Sequence, residues 1–299
     1  MDTTDFLPRL RPLAAASLLA MTLGITGCNS SGGGSGDDTG SFTLRVGDAP
    51  VDGATGVWIE FTGVELKREG DSPFSIDFDE PRAIELLATR DGTPELLVEG
   101  ETIDAGLYEW IRLKVNAEQG VIDSYIEFPG EQHPLFVPSG AQTGLQLVSG
   151  FTVAQGGGVD FTIDIDLRRS IAAPPGLGGS YLLRPALRMV DTNEVGAIAG
   201  TVFPELRPAE CSPGVYVYEG TDVEPGDIGG DGNDPLVSVT VDEFGEYEIH
   251  YLAAGDYTVA YTCDADADDP ESADDLAFDP VRNAEVTAGS TTTVDFGAE

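Results

Sequence analysis

Val159-Asp160-Phe161-Thr162-Ile163-Asp164-Ile165-Asp166-Leu167 alternates apolar and polar residues without a break. A period of two puts the apolar set on one face of an extended strand and the polar set on the other. The same pattern recurs outward from this stretch. Phe42, Leu44 and Val46 alternate with Thr43 and Arg45; Val57, Ile59 and Phe61 with Trp58, Glu60 and Thr62; Ile111, Leu113 and Val115 with Trp110, Arg112 and Lys114. Clusters of Gly, Pro and Asp near 69–73, 91–94, 129–134 and 155–158 supply the turns. One short helix is predicted around Asp166 to Ala172, stopped by Pro174-Pro175. Residues 41–191 therefore read as an antiparallel β-sandwich or a partly open barrel.

The pattern restarts at Gly196. Seven strands are predicted over 194–299, near 196–202, 215–218, 236–241, 245–251, 257–263, 281–286 and 292–296. The expectation is an all-β chain of two tandem antiparallel sandwiches. Its 299 residues, 41 % hydrophobic and 23 % charged, are ample for two cores.

The N-terminus reads differently. Met1 to Arg11 is polar with two arginines, Pro12 to Leu23 is apolar, and Ile25-Thr26-Gly27-Cys28 follows. This is the layout of a secretory signal, too short for a permanent span. Ile25 to Cys28 resembles the lipobox of bacterial lipoproteins. That resemblance implies cleavage after residue 27, lipidation of Cys28 and tethering to a membrane. Residues 28–40, rich in Gly, Ser and Asp, then read as a flexible tether. Asn29 after the cysteine leans towards the outer membrane of a Gram-negative envelope, by resemblance to lipoprotein sorting.

Two further resemblances follow from particular strings. Val46-Gly47-Asp48-Ala49-Pro50-Val51-Asp52-Gly53-Ala54 with Val57 to Leu66, the block Ala105 to Leu113, Leu147 to Val153 with Asp164-Ile165-Asp166-Leu167-Arg168, and Leu183-Arg184-Pro185-Ala186-Leu187-Arg188 resemble the domain of unknown function 4382 family. The resemblance implies a secreted, commonly lipid-anchored β-domain and brings no catalytic residue. Val241-Asp242-Glu243-Phe244-Gly245-Glu246-Tyr247 with Gly255-Asp256-Tyr257-Thr258-Val259 resembles the prealbumin-like carboxypeptidase regulatory-like domains. Some modules of that fold bind carbohydrate and many are spacers.

Charge sets further limits. Fifteen bases against 53 acids give a net charge of −38, which repels nucleic acid and suits saline surroundings. Residues 194–299 hold 25 acids against Arg207 and Arg282. Asp264, Asp266 and Asp268, with Asp275 in the twelfth place, have the spacing of a calcium loop. Asp269, Pro270 and the missing glutamate depart from it, so a solvated acidic loop is preferred, and no cofactor is expected. The second acidic loop, Asp222 to Asp234, falls at the opposite end of the sandwich if the strands simply alternate. The same parity brings Cys211 and Cys263 to one end, and an exported chain favours their disulfide.

Six bases, Arg112, Lys114, Arg168, Arg169, Arg184 and Arg188, lie in or beside strands of the first domain. Cross-strand ion pairing is their simplest reading. Trp58, Tyr108 and Trp110, on the outward phase beside Arg112, form the alternative: a surface for a glycan or an envelope protein. His250 reads as a surface strand residue. Cys-x-x-Cys, His-Glu-x-x-His, Gly-x-Ser-x-Gly and phosphate-loop motifs are absent from the sequence. The expectation is a non-enzymatic binding or scaffold protein, with a carbohydrate-binding module and a calcium-dependent adhesive stalk as alternatives.

Overall fold

The computed structural model describes residues 38–49, 54–89, 92–138, 144–173, 176–184, 186–230 and 232–297. The signal region, Cys28 and all but the last residues of the tether lie outside them.

In chain order the strands are β1 (Thr39–Ala49), β2 (Gly56–Arg68), β3 (Phe74–Glu85), β4 (Glu95–Asp104), β5 (Gly106–Asn116), β6 (Tyr125–Phe128), β7 (Glu131–Phe136), β8 (Leu145–Leu147), β9 (Phe151–Val153) and β10 (Gly158–Asp166). One helical turn, α1 (Leu167–Ser170), precedes β11 (Ile171–Ala172), β12 (Tyr181–Leu183) and β13 (Leu187–Asp191). The remainder are β14 (Val195–Thr201), β15 (Gly214–Glu219), β16 (Val237–Thr240), β17 (Glu246–Ala253), β18 (Gly255–Thr262), β19 (Phe278–Val286) and β20 (Thr291–Thr293).

These strands make two sandwiches. The first packs β13-β10-β1-β4 against β11-β12-β7-β6-β2-β5-β8, with β3 added on β2 and β9 on β5. The inward residues of the alternating stretches, among them Phe42, Leu44, Phe61, Ile111, Leu113 and Ile163, form its core. The second packs β17-β14-β20 against β16-β15-β18-β19 around Ile198, Val217, Val259 and Phe296.

Most pairings are antiparallel, but β1–β10, β7–β12 and β14–β20 are parallel. The reason for the first is connectivity. Residues 50–157 build most of the opposite sheet before the chain returns, so β10 enters beside β1 from the same end, Ser41 opposite Gly158 and Ala49 opposite Asp166.

Tyr108 departs from the expected outward phase. The β2–β5 pairing shifts register between Lys67 and Arg68, which face Trp110 and Tyr108. The extra residue, Glu109, is a bulge, and a one-residue slip exchanges faces. Tyr108 thus becomes fully buried, stacks on Phe151 at 4.9 Å and donates its hydroxyl to the Asp104 carbonyl at 2.8 Å. Leu107 turns outward in its place.

Cys211 and Cys263 are joined by a disulfide, with their Cα atoms 4.9 Å apart. Around it Ser212 N–H donates to the Cys263 carbonyl and Ala265 N–H to the Ser212 carbonyl. The bridge closes a 52-residue separation, worth about 4 kcal/mol in the chain-entropy model. Replacing both cysteines by serine is expected to lower the melting temperature by roughly 10 °C, and thermal unfolding by circular dichroism checks it. Reductant should then lower the parent alone.

Candidate functional site

The most heavily built polar site lies where the two sandwiches meet, and it starts at the end of β10. Asp166 caps α1: its carboxylate accepts from Arg169 N–H at 3.1 Å. Burial raises the Asp166 carboxyl above its usual range. The single helical turn breaks the period of two. It takes Arg168 off the sheet and points it into the second sandwich.

There the Arg168 side chain is 8 % exposed. Its guanidinium donates to the Tyr216 hydroxyl at 2.9 Å, to Ser238 Oγ at 3.2 Å and to the Ala265 carbonyl. The Asp268 carboxylate lies 3.7 Å away. Every one of these partners belongs to the second sandwich. Asp268 is fully enclosed and accepts from the Tyr216 hydroxyl at 2.5 Å and from Ile228 N–H at 3.1 Å. Burial raises the Asp268 carboxyl above its usual range, against the pull of the Tyr216 hydroxyl, Arg168 and the Ile228 amide. Burial also raises the Tyr216 hydroxyl, so it stays a donor.

The neighbours extend the seam. Arg169 donates to the Pro235 carbonyl at 2.7 Å, and Arg184 pairs with Glu271 at 2.7 Å. Gly47 packs flat on the Tyr251 ring, where a Cβ would fall 2.6 Å from it. His250 is not the surface residue expected. Its side chain is 14 % exposed, and it packs on Gly92 in a seam cavity of about 280 Å³.

The acidic loops are also arranged differently. Of the four residues with calcium-loop spacing, Asp264, Asp266 and Asp275 are exposed while Asp268 is buried. Among the described residues, the carboxylates that gather are Asp227, Asp268 and Asp274, their oxygens within 4.8 Å of one another. Asp227 comes from the loop that strand parity placed at the other end. The sheet explains the difference. Residues 214–218 of β15 are buried on both faces, and Tyr216 and Tyr218 need a cover. The 220–236 loop folds back over them: Tyr218 donates to the Gly226 carbonyl at 2.6 Å, Ile228 packs beneath, and Leu236 N–H reaches the Val217 carbonyl. Gly229, at φ +78°, passes so close to the Pro270 carbonyl that a side chain would strike it. The gathered carboxylates accept from protein donors, Asp227 from Asp274 N–H and Asp274 from Asp269 N–H. With Arg168 beside Asp268, the arrangement is a receptor for a guanidinium supplied by the same chain.

The aromatic surface expected around Arg112 is not one surface. Tyr108 is in the core. Trp58 stacks on Tyr125, and Trp110 lies under the Arg112 guanidinium at 4.7 Å. Trp110 is paired with Lys67, nine residues along β2 from Trp58, about 30 Å in a strand. Between them runs a ladder of charge pairs, including Arg112–Glu65 at 2.5 Å and Lys114–Asp77.

Residues 39–185 match a domain of unknown function, DUF4382. Arg168 and Arg184 lie in this DUF4382 segment, and the acceptors described for their side chains lie outside it. No curated protein matches the chain. Among solved structures, the chain is similar to the Bacillus anthracis TIE protein at 9 % identity and a TM-score of 0.22, covering 86 % of this chain. It spans only 34 % of the TIE protein's length. It is also similar to GBS52, the minor pilin of Streptococcus agalactiae, at 10 % identity and a TM-score of 0.22, covering 86 % of this chain and 94 % of that one. A streptococcal ancillary pilin gives 10 % identity and 0.25, covering 86 % and 68 %. Likenesses this distant say nothing of role.

Removing one partner of a buried charge leaves the others desolvated and unpaired. Arg168→Met is therefore expected to destabilise the folded chain by about 3 kcal/mol or more, read from urea unfolding. Arg168→Lys should recover only part of the loss, because an ammonium cannot span the same set of acceptors.

Proposed function

We propose that this chain is a non-enzymatic scaffold of the cell envelope, held by a lipid on Cys28 and presenting the two sandwiches as one stiff unit. The observation that supports it most is the buried Arg168 contact. A cation enclosed in a neighbouring sandwich, with four partners there, suits a spacer or platform that must keep its shape. On this reading residues 1–27 are the signal, 28–40 the tether, 41–191 the DUF4382-type sandwich and 194–299 a carboxypeptidase regulatory-like sandwich used as a stalk. The outer membrane of a Gram-negative bacterium is the proposed location, with an envelope protein as the partner. Separation of Trp58 from Trp110 and burial of Tyr108 weigh against a composite glycan platform.

Cys28 carries the test. With the native signal sequence in a bacterial host, the chain should take up labelled fatty acid and sediment with membranes. Cys28→Ala should abolish labelling and shift most of the protein to the soluble envelope fraction. Unchanged labelling and sedimentation in the variant would overturn the anchor.

A further inference from the structure

We propose that the end of the first sandwich from which the tether departs is a lipid-contacting face, which rests on the membrane surface that holds the anchor. This rests on the lipoprotein reading of Cys28.

Asp38 marks that end. Its carbonyl accepts from Ala105 N–H at 2.7 Å and its carboxylate from Gln155 Nε2 at 2.7 Å. Ten positions separate it from Cys28, so even a fully extended chain holds this end within about 35 Å of the lipid. The turns at 69–73, 104–106 and 154–157 meet here, tied by Glu69 N–H to the Leu107 carbonyl, Arg68 to the Ala105 carbonyl and Gly156 N–H to the Thr39 carbonyl.

Exposed apolar side chains gather at this same end. Leu107 is 45 % exposed, Phe74 37 % and Val148 78 %; they are three of the six large apolar side chains left open among the described residues. Strand pairing places all three within a few residues of one another along β5, on two faces of the sheet. Leu107 faces outward from β5, Phe74 stands edge-on to Tyr108 at 6.3 Å at the rim of the core side, and Val148 begins the link between β8 and β9, between the residues paired with Ile111 and Tyr108. The bulge at Glu109 both buries Tyr108 and turns Leu107 out. Bulges re-aim side chains and are over-represented at sheet edges and beside functional sites.

Charge narrows the lipid. Lys67 is paired with Glu109, and Arg68 with Asp71 and Asp104. Neither cation is left over for an anionic headgroup, so the chemistry suits a zwitterionic phospholipid surface. The second sandwich, with its 25 acids and two bases, joins at the far ends of β1 and β10, where Gly47 and Arg168 reach it. It is thereby kept away from the bilayer.

The chain's two tryptophans supply the test. The lipidated full chain is reconstituted in vesicles of phosphatidylcholine with brominated acyl chains, which quench nearby indoles. Trp58→Phe leaves Trp110 as reporter, and Trp110→Phe leaves Trp58. Trp110 should be quenched severalfold more than Trp58. Adding Leu107→Asp and Val148→Asp, both at open positions, should abolish the difference while the chain still floats with the vesicles. A chain that floats with Trp110 quenched no more than Trp58 overturns the proposal and leaves the anchor standing. So does quenching that survives the two aspartates, or a Trp110 emission change that answers to added oligosaccharide and not to lipid. A chain that fails to float removes the anchor, and this proposal with it.

Discussion

A guanidinium removed from water must find its partners in the protein, and the hydrogen-bond acceptors described for Arg168 lie across a boundary. That constraint organises both sides of the seam. On one side it needs β10 to end in a capped helical turn, since a continuing strand would keep residue 168 in the plane of the sheet. On the other it needs Tyr216, Ser238, Ala265 and Asp268 to converge from two strands and a loop. The loop is held by the Cys211–Cys263 bridge at its start and by the carboxylate contacts among Asp227, Asp268 and Asp274 further along. The disulfide therefore matters for more than the stability of its own sandwich. It fixes the strand end from which the Arg168 receptor grows.

Distribution of charge fits the same account. Residues 28–193 carry 11 bases against 26 acids, and residues 194–299 carry two against 25. Two units with such like charge repel one another. A docked pair needs some cations directed across the seam, and Arg168, Arg169 and Arg184 serve there. Arg45 pairs with Asp160 and Arg188 with Asp164, across strands of one sheet.

The strands were legible because their physical signal is local. Alternation in Phe42–Val46, Val57–Phe61 and Val159–Leu167 needs only a half-buried face to be read correctly. Features that depend on packing were not legible. Tyr108 sits one residue before the bulge at Glu109, and nothing in Leu107-Tyr108-Glu109-Trp110 marks where the phase slips. The run Val215-Tyr216-Val217-Tyr218 does carry a signal that strand parity alone overlooks. Tyrosines on the outward phase, followed by a 17-residue connection, ask for a cover, and the connection provides it by folding back. Arg168 was visible as one of six bases near strand ends. The sequence pattern could not distinguish it from Arg188, because the difference is that Arg168 falls in a helical turn and Arg188 in a strand, opposite Asp164. A sandwich with 25 acids and two bases of its own hints that cations arrive from elsewhere.

The central claim is that the two sandwiches are welded into one cooperative body through Arg168. Differential scanning calorimetry of the mature chain tests it most directly. The account predicts one transition whose calorimetric and van't Hoff enthalpies agree for the parent, resolving into two when Arg168 is methionine. Two separate transitions in the parent, each insensitive to residue 168, would contradict it.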